Sequence, residues 1–311
     1  MLKKSLNKSE FNIQDRGEIA FRVKPFLKWA GGKGQLLDIF QDFYPRQLVA
    51  QSIENYYEPF VGGGAVFFDI ARKFNIKSAF LYDVNEELIL TYRVVQQDAP
   101  KLIEHLEKHQ KKYQKLDEEK QGEYFYKVRQ SFNNQRTRTN FETYSEKWIS
   151  RAAQTIFLNK TCFNGLFRFN SKGEFNTPKG RYKNPKILDA EAILKTSELL
   201  GIAEIKMADF RQVEKDIKLQ SFVYYDPPYR PLNKTSSFTA YSKNSFTDNE
   251  QKELADVFHR LNEKGIYQML SNSDPKNMNP NDNFFDELYS NYLIFRVPAK
   301  RMINSNGAKR S

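Results

Sequence analysis

Apolar positions along this chain change their spacing several times, and each change predicts a boundary. Residues 1 to 24 are polar and mixed in charge, which predicts a loosely held extension. From Pro25 the pattern sharpens. Phe26-Leu27-Lys28-Trp29-Ala30 reads as extended, Gly31-Gly32-Lys33-Gly34 as a turn, and Leu36 to Phe43 as an apolar-periodic helix terminated by Pro45. Tyr56-Tyr57 reads as a strand entering Gly62-Gly63-Gly64, and Ala65 to Ala71 as the helix leaving that loop. Ser78 to Tyr82 is a second strand, ending in Asp83. Asn85 then caps a helix in which Leu88, Tyr92 and Val95 share one stripe. Strand, helix, strand, helix is the series that builds a parallel sheet covered by helices.

The period then changes. Lys101 to about Gln130 is dense in Lys, Glu and Gln with spaced Leu, Ile and Tyr, which predicts solvent-exposed helices; a further helix is expected over Ser145 to Leu158. Leu166 to Asn170 and Glu174 to Asn176 flank Ser171-Lys172-Gly173 as a short hairpin. Alpha/beta patterning resumes near Leu199, with strands at Ile202–Met207, Phe222–Tyr225, Ile266–Leu270 and Tyr292–Val297 and a helix over Asp248–Glu263. The expected fold is α/β: one open, Rossmann-like domain built from 25–98 and 198–311, interrupted at 99–197 by a mostly helical insertion carrying the β-hairpin.

Composition narrows the function classes. The net charge of +11 over 311 residues suits a polyanionic partner, because each neutralised phosphate releases counterions, although a solubility charge would look the same. A single cysteine, Cys162, excludes an internal disulfide and any multi-cysteine zinc site and fits a reducing compartment. It does not follow a proline, so the covalent cysteine route used on cytosine C5 is not expected, and packing is its simpler role. No apolar stretch approaches the roughly 18 residues of a membrane span, so a soluble, intracellular protein is expected. His105 and His109 stand four apart, but His-Leu-Glu-Lys-His is not the zinc pattern His-Glu-x-x-His.

Glu58-Pro59-Phe60-Val61-Gly62-Gly63-Gly64 follows a strand and opens a helix. Its glycines let the backbone pass close to a ligand whose charged end sits near the helix N-terminus. Asp83, at the end of the next strand, is placed to accept ribose hydroxyls, so a nucleoside ligand is expected. A nicotinamide fingerprint fails, because Phe67 stands where its third glycine belongs; a phosphate loop fails, because Gly34 follows Lys33. The alternative is a structural turn beside a surface aspartate.

Asp226-Pro227-Pro228-Tyr229 ends a second buried-looking strand, where open α/β sheets bind ligands. An exocyclic amine on a base is a poor nucleophile, since its lone pair is delocalised into the ring. The Asp226 carboxylate and the Pro227 carbonyl can each accept one N–H and localise that pair. Pro228 stiffens the turn, and Tyr229 can stack on a base that has left the duplex. The bland alternative is a rigid strand-to-loop turn. The two segments together point to methyl transfer from S-adenosylmethionine to a DNA base, a direct displacement for which neither a metal nor a covalent enzyme intermediate is expected.

From about Pro25 to Arg310 the chain resembles the Dam family of DNA adenine-N6 methyltransferases, the alpha group of the D12 class. The shared stretches are Phe26 to Lys33, Glu58 to Gly64, Asp83, Asn164 to Tyr182, Asp226 to Tyr229, Asn244 to Thr247 and Ser305 to Gly307. The resemblance implies an S-adenosylmethionine-dependent methyltransferase sheet with 99–197 as the target-recognition domain. Trp29, Lys33, Asp83 and Asp226, with Phe60, Gly62 and Gly64 of the loop, would meet the methyl donor or the target amine, and Asp209 and Phe210 would border the donor's adenine. Lys28, Asn164, Leu166, Arg168, Pro178 and Ser245 would meet DNA, within GATC. Strand alternation independently puts Asn164, Leu166 and Arg168 on one face and turns Phe167 and Phe169 inward, and arginine suits bidentate contact with guanine. Thr235 to Phe246 resembles the loop that closes on DNA.

The chain departs from the family at Phe163, commonly tyrosine, in its first 24 residues, and at Ser311, beyond which relatives continue through another apolar strand. Double-stranded DNA, a monomeric state, a cognate restriction endonuclease and a cytoplasmic setting in a bacterium, or a phage origin, complete the expectations. Cytosine-N4 methylation, which more often has Ser in place of Asp226, and DNA binding without turnover are the competing readings.

Overall fold

The computed structural model describes residues 25–29, 31–230 and 246–298. Five strands form within them: β1 (Asn55–Glu58), β2 (Ser78–Asp83), β3 (Ala203–Met207), β4 (Ser221–Tyr225) and β5 (Tyr267–Leu270), with β1, β2 and β4 rich in aromatics. All pair in parallel, in the order β3-β2-β1-β4-β5. Parallel strands need crossovers that cover both faces. The central strands show the result, with β4 buried at every position and Tyr56 and Tyr57 of β1 inaccessible. The strand order reverses between β1 and β4, so a crevice opens outside their carboxyl ends, where Glu58 and Asp226 lie.

The pleat sorts these strands by parity. Tyr56, Phe222, Tyr224 and Met269 face the larger core with α1 (Leu37–Phe40), α3 (Ala65–Lys73) and α4 (Glu86–Gln114). Tyr57, Val223, Tyr225 and Leu270 face the smaller one with α9 (Asp248–Glu263). The remaining helices are α2 (Arg46–Val49), α5 (Glu118–Arg136), α6 (Lys147–Thr161), α7 (Ala190–Leu200), α8 (Gln212–Asp216) and α10 (Phe284–Leu288). Asn85 caps α4, its side chain accepting from Glu87 N and Leu88 N at 3.1 Å each, and a capping box of Thr247 and Glu250 opens α9. Helix α4 breaks at Asp98 (φ −135°, ψ 37°), just before Pro100, which cannot donate within the helix.

Several expectations change. Leu36 to Phe43 becomes α1 flanked by 3-10 turns, the first closed by an i to i−3 bond from Leu36 N to Lys33 O at 2.8 Å. The Lys/Glu/Gln-rich stretch is not merely exposed: its spaced apolar residues bury Leu102, Leu106, Tyr113, Phe125 and Val128 as stripes. The hairpin shrinks to one bridge, Phe169 to Phe175, because the Asn170 side chain accepts from Lys172 N (3.0 Å) and Glu174 N (2.9 Å), tightening the turn at the expense of a ladder. Asn164 does not begin a strand either, having φ +54° within a 3-10 turn, so the predicted alternation starts only at Leu166. Tyr292–Val297 forms no strand. Leu293 and Phe295 are exposed, and Arg296 is held instead by Asp274 and Asp286. Residues 1–24, Ser245 and Ser305–Gly307 lie outside the described residues.

Candidate active site

At the mouth of the crevice, Lys33 Nζ donates to Asp226 Oδ2 at 2.5 Å and to the Gly31 carbonyl at 2.7 Å. Lys33 comes from the turn before α1 and Asp226 from the end of β4, and the lysine is buried. Burial opposes the Lys33 ammonium, but Asp226 and Tyr229 outweigh it and raise its pKa. Burial pushes the Asp226 carboxyl up, while Lys33 and Ser271 draw it back down. Each charge supports the other, at a place where either alone would be costly. Tyr229 is largely open to solvent, with its ring 5.0 Å from Lys33 Nζ.

Pro227 and Pro228 lead the chain out of the sheet. Buried Gln251 of α9 donates to the Pro228 carbonyl at 3.0 Å, whereas the Pro227 carbonyl has no hydrogen-bond partner among the described residues. Arg230 fixes the far end by binding both oxygens of Asp248 (2.7 and 2.9 Å) and Asp282 (2.7 Å). The segment is therefore anchored on both sides of an open acceptor.

Across β1 the glycine loop turns toward Asp83. Gly62 N donates to Asp83 Oδ2 at 3.1 Å and Asn85 N to Oδ1 at 2.9 Å. Gly62 (φ +47°) and Gly64 (φ +71°) occupy left-handed backbone, and a Cβ on Gly64 would fall 2.4 Å from the Tyr92 hydroxyl. Asp83 is only partly buried, yet burial still pushes its carboxyl up to about 6 against the donors around it. Beside it, Phe60 stacks on Phe210 (5.8 Å, 24°), and Phe246 meets both rings edge-on at 5.6 and 5.7 Å. Asp209 forms a surface pair with Arg211 at 2.6 Å.

The residues expected to meet DNA gather around one buried side chain. Asn159 of α6 accepts from Lys28 N (2.7 Å) and donates to Lys28 O (2.7 Å) and Gly165 O (3.1 Å). That ties the segment carrying Trp29 and Lys33 to the turn carrying Asn164, Leu166 and Arg168. The exposed Lys28 ammonium lies 4.3 Å from the Tyr182 ring, and Arg168 Nε donates to Asn176 Oδ1 at 3.1 Å. Thr177 Oγ1 holds the Leu166 carbonyl at 2.6 Å, and Asn133 of α5 grips Phe175 N (2.9 Å) and O (3.1 Å). The exposed Pro178 accepts from Phe163 N at 2.9 Å. Behind this surface, buried Glu87 at the start of α4 pairs with Arg151 and with Arg136. The Arg136 guanidinium lies 4.6 Å from the Phe169 ring.

The sequence of the chain matches the description of the D12 class N6 adenine-specific DNA methyltransferases over residues 29–303. The chain belongs to this family. It is 48% identical over 288 residues to the Type II methyltransferase M.MjaIII of Methanocaldococcus jannaschii, covering 93% of this chain and 95% of that one. The Type II methyltransferase M1.LlaDCHI of Lactococcus lactis subsp. cremoris is 39% identical over 302 residues (96% and 94%). The DNA adenine methylase of Escherichia coli K12 is 33% identical over 287 residues (92% and 91%).

As a D12 class enzyme it methylates adenine in DNA, and the family implies S-adenosylmethionine as donor. The crevice of this D12 protein suits that donor. A half-buried carboxylate at Asp83 matches ribose hydroxyls, the Phe60 and Phe210 pair matches a flat base, and the left-handed loop brings main chain to the start of α3. Cys162 is fully buried, and burial pushes its thiol up to about 12, as packing requires. His109 packs on Phe157 and bonds Tyr124 at 2.9 Å. No helix among the described residues is long and apolar enough to cross a membrane.

Sequence reasoning missed Asn159, Ser271 and Arg230. The available signal for Asn159 was a lone amide after the apolar run Ile156-Phe157-Leu158. Ser271 and Arg230 gave none, since their partners are fixed by strand register and by the return of the chain to α9.

Proposed function

We propose that this D12 methyltransferase transfers the methyl group of S-adenosylmethionine to N6 of an adenine flipped out of double-stranded DNA, within GATC. The observation that carries the reading is the ion-paired Asp226 beside the open Pro227 carbonyl at the β1/β4 switch point. S-adenosylmethionine, when bound, supplies an electrophilic methyl group on positive sulfur. Asp226 and Pro227 accept the two amine hydrogens and aim the nitrogen lone pair, and Asp226 is placed to take the proton the methylated nitrogen sheds. Tyr229 stacks on the extruded base and offsets part of the few kcal/mol of unstacking. Asp83 and the Phe60/Phe210 pair hold the donor, with Trp29, Gly62 and Gly64 lining the approach.

Residues 99–197 serve as the recognition lobe, which the break at Asp98 and the cluster of Lys28, Asn164, Leu166, Arg168 and Pro178 support. Ser245 completes the contact set from outside the described residues. The enzyme acts as a monomer with a cognate restriction endonuclease, a role suggested by the Type II names of two relatives, in the cytoplasm of a bacterium or phage host.

Tritiated S-adenosylmethionine and defined duplexes test the assignment. Label on adenine in GATC supports it; label on cytosine, on another sequence, or specific binding with no label overturns it. Asp226→Ala is expected to abolish transfer while leaving DNA affinity within about twofold, and Arg168→Ala to relax discrimination at one guanine by ~1–3 kcal/mol.

A further inference from the structure

The register of β4 against β5 pairs Tyr225 with Leu270, so the next step outward sets Asp226 beside Ser271. The ladder continues that far, because Ser271 N donates to Tyr225 O at 2.9 Å. Side chains two apart on a strand share a face, and paired residues on neighbouring parallel strands share it too. Tyr224, Asp226 and Ser271 therefore point into the same space, on the side of the sheet where Lys33 enters. The contacts follow: Tyr224 Oη to Ser271 Oγ is 2.8 Å, and Ser271 Oγ to Asp226 Oδ1 is 3.2 Å. Lys33 takes the other carboxylate oxygen at 2.5 Å.

We propose that Ser271, backed by Tyr224, is a positioning residue that fixes the Asp226 carboxylate for the target amine. The inference rests on the role given to Asp226 above. An ionised carboxylate only accepts, so the Ser271 hydroxyl must donate to it, and the proton between Tyr224 and Ser271 must then come from the tyrosine. The chain has one direction: Tyr224 to Ser271 to Asp226. Tyr224 is fully buried and held well above its ordinary pKa, so it stays protonated as the terminal donor. Linked donors polarise one another, which strengthens the last bond of the series.

Gripped on both oxygens by separate elements, the carboxylate cannot rotate about its Cβ–Cγ bond. Each oxygen still keeps a lone pair, and one of these is left for an amine hydrogen. Orientation of this kind is what turns a bound base into a near-attack geometry. The other ionisable groups around Asp226 are Lys33, Glu58 and Tyr229, and Lys33 alone opposes its protonation. Removing the Ser271 bond should therefore make the carboxyl easier to protonate as well as freer to turn.

The test is single-turnover methylation of a GATC duplex across pH. Ser271→Ala is expected to slow transfer about tenfold at neutral pH and to shift the acid limb upward by about one unit, the equivalent of one lost charge-assisted bond. Affinities for a cofactor analogue and for DNA should stay within about twofold. Ser271→Thr, which keeps the hydroxyl, should restore both rate and limb. Tyr224→Phe should shift the limb the same way by less, and it provides a second variant should the alanine protein fail to fold. An unshifted limb in both variants overturns the proposal, as does a rate loss matched by equal loss of cofactor affinity. Failure of the Asp226 reading looks different, because Asp226→Ala would then retain turnover.

Discussion

The indole of Trp29 lies 6.1 Å from the ring of Phe167, centroid to centroid, and also lies against the glycine loop, where a Cβ on Gly62 would come within 2.9 Å of Trp29 Cδ1. One side chain thus touches both the loop assigned to the methyl donor and the turn assigned to base reading. Trp29→Ala is expected to weaken binding of a cofactor analogue about tenfold and to lower discrimination between GATC and single-base variants together, since coupling between two sites is reciprocal. Calorimetric titration with and without DNA checks this. Loss of one property without the other would separate the two contacts.

With Asp83 as the proposed ribose acceptor, cofactor binding is expected to depend on pH. Its folded carboxyl is pushed up to about 6 by burial, above the ordinary 3.8. The folded chain therefore takes up a proton as pH falls through about 6, and this group adds stability on going down toward 3.8 while its acceptor is lost. Affinity for a cofactor analogue is expected to fall about tenfold per pH unit below 6, and Asp83→Asn to bind weakly with a flat profile. Titrations from pH 5 to 8 decide it. A profile as steep in the asparagine variant as in the parent would remove Asp83 from the explanation.

Glu58 is shifted the same way as Asp83, and further. Burial pushes its carboxyl up to about 8, although the Tyr56 hydroxyl (2.7 Å) and Phe67 N pull down, so it is largely protonated at neutral pH. The folded value exceeds the ordinary 4.5, so stability is lost as pH rises from there and levels off above 8. Glu58→Gln, which mimics the protonated acid, should match the parent near pH 5 and exceed it by roughly 1–3 kcal/mol at pH 9. Urea denaturation at the two pH values measures the difference.

Asn159 links the fold to the turn proposed to read bases. Asn159→Ala leaves the part-buried Lys28 N and O and the buried Gly165 O without their partner, at a cost of about 3 kcal/mol. The denaturation midpoint should drop. Methylation of duplexes changed at one base should also rise relative to GATC, because Lys28 and the Asn164–Arg168 turn lose their fixed spacing. Reduced stability with unchanged discrimination would confine Asn159 to the fold.

Much of this was legible because its causes are local. Asn85 caps α4 through its own side chain, the left-handed turn needs Gly62 and Gly64, and helix α9 runs over Asp248–Glu263 as its period predicts. Illegible features had competitors elsewhere in the chain. Asn170 drew two main-chain donors into its turn and shortened the hairpin, and Arg296 found Asp274 and Asp286 in place of a strand partner for Tyr292–Val297.

By itself the sequence determined the strand, loop and helix units and the chemical groups at their ends, since periodicity, capping and glycine or proline stereochemistry act over a few residues. Only the tertiary structure decided which group meets which. Lys33 reaches Asp226 across 193 positions, Ser271 reaches it through strand register, and Asn159 ties Lys28, 131 positions away in sequence, to Gly165. Those pairings follow from sheet order and from burial shared by the whole chain, and no local pattern encodes either.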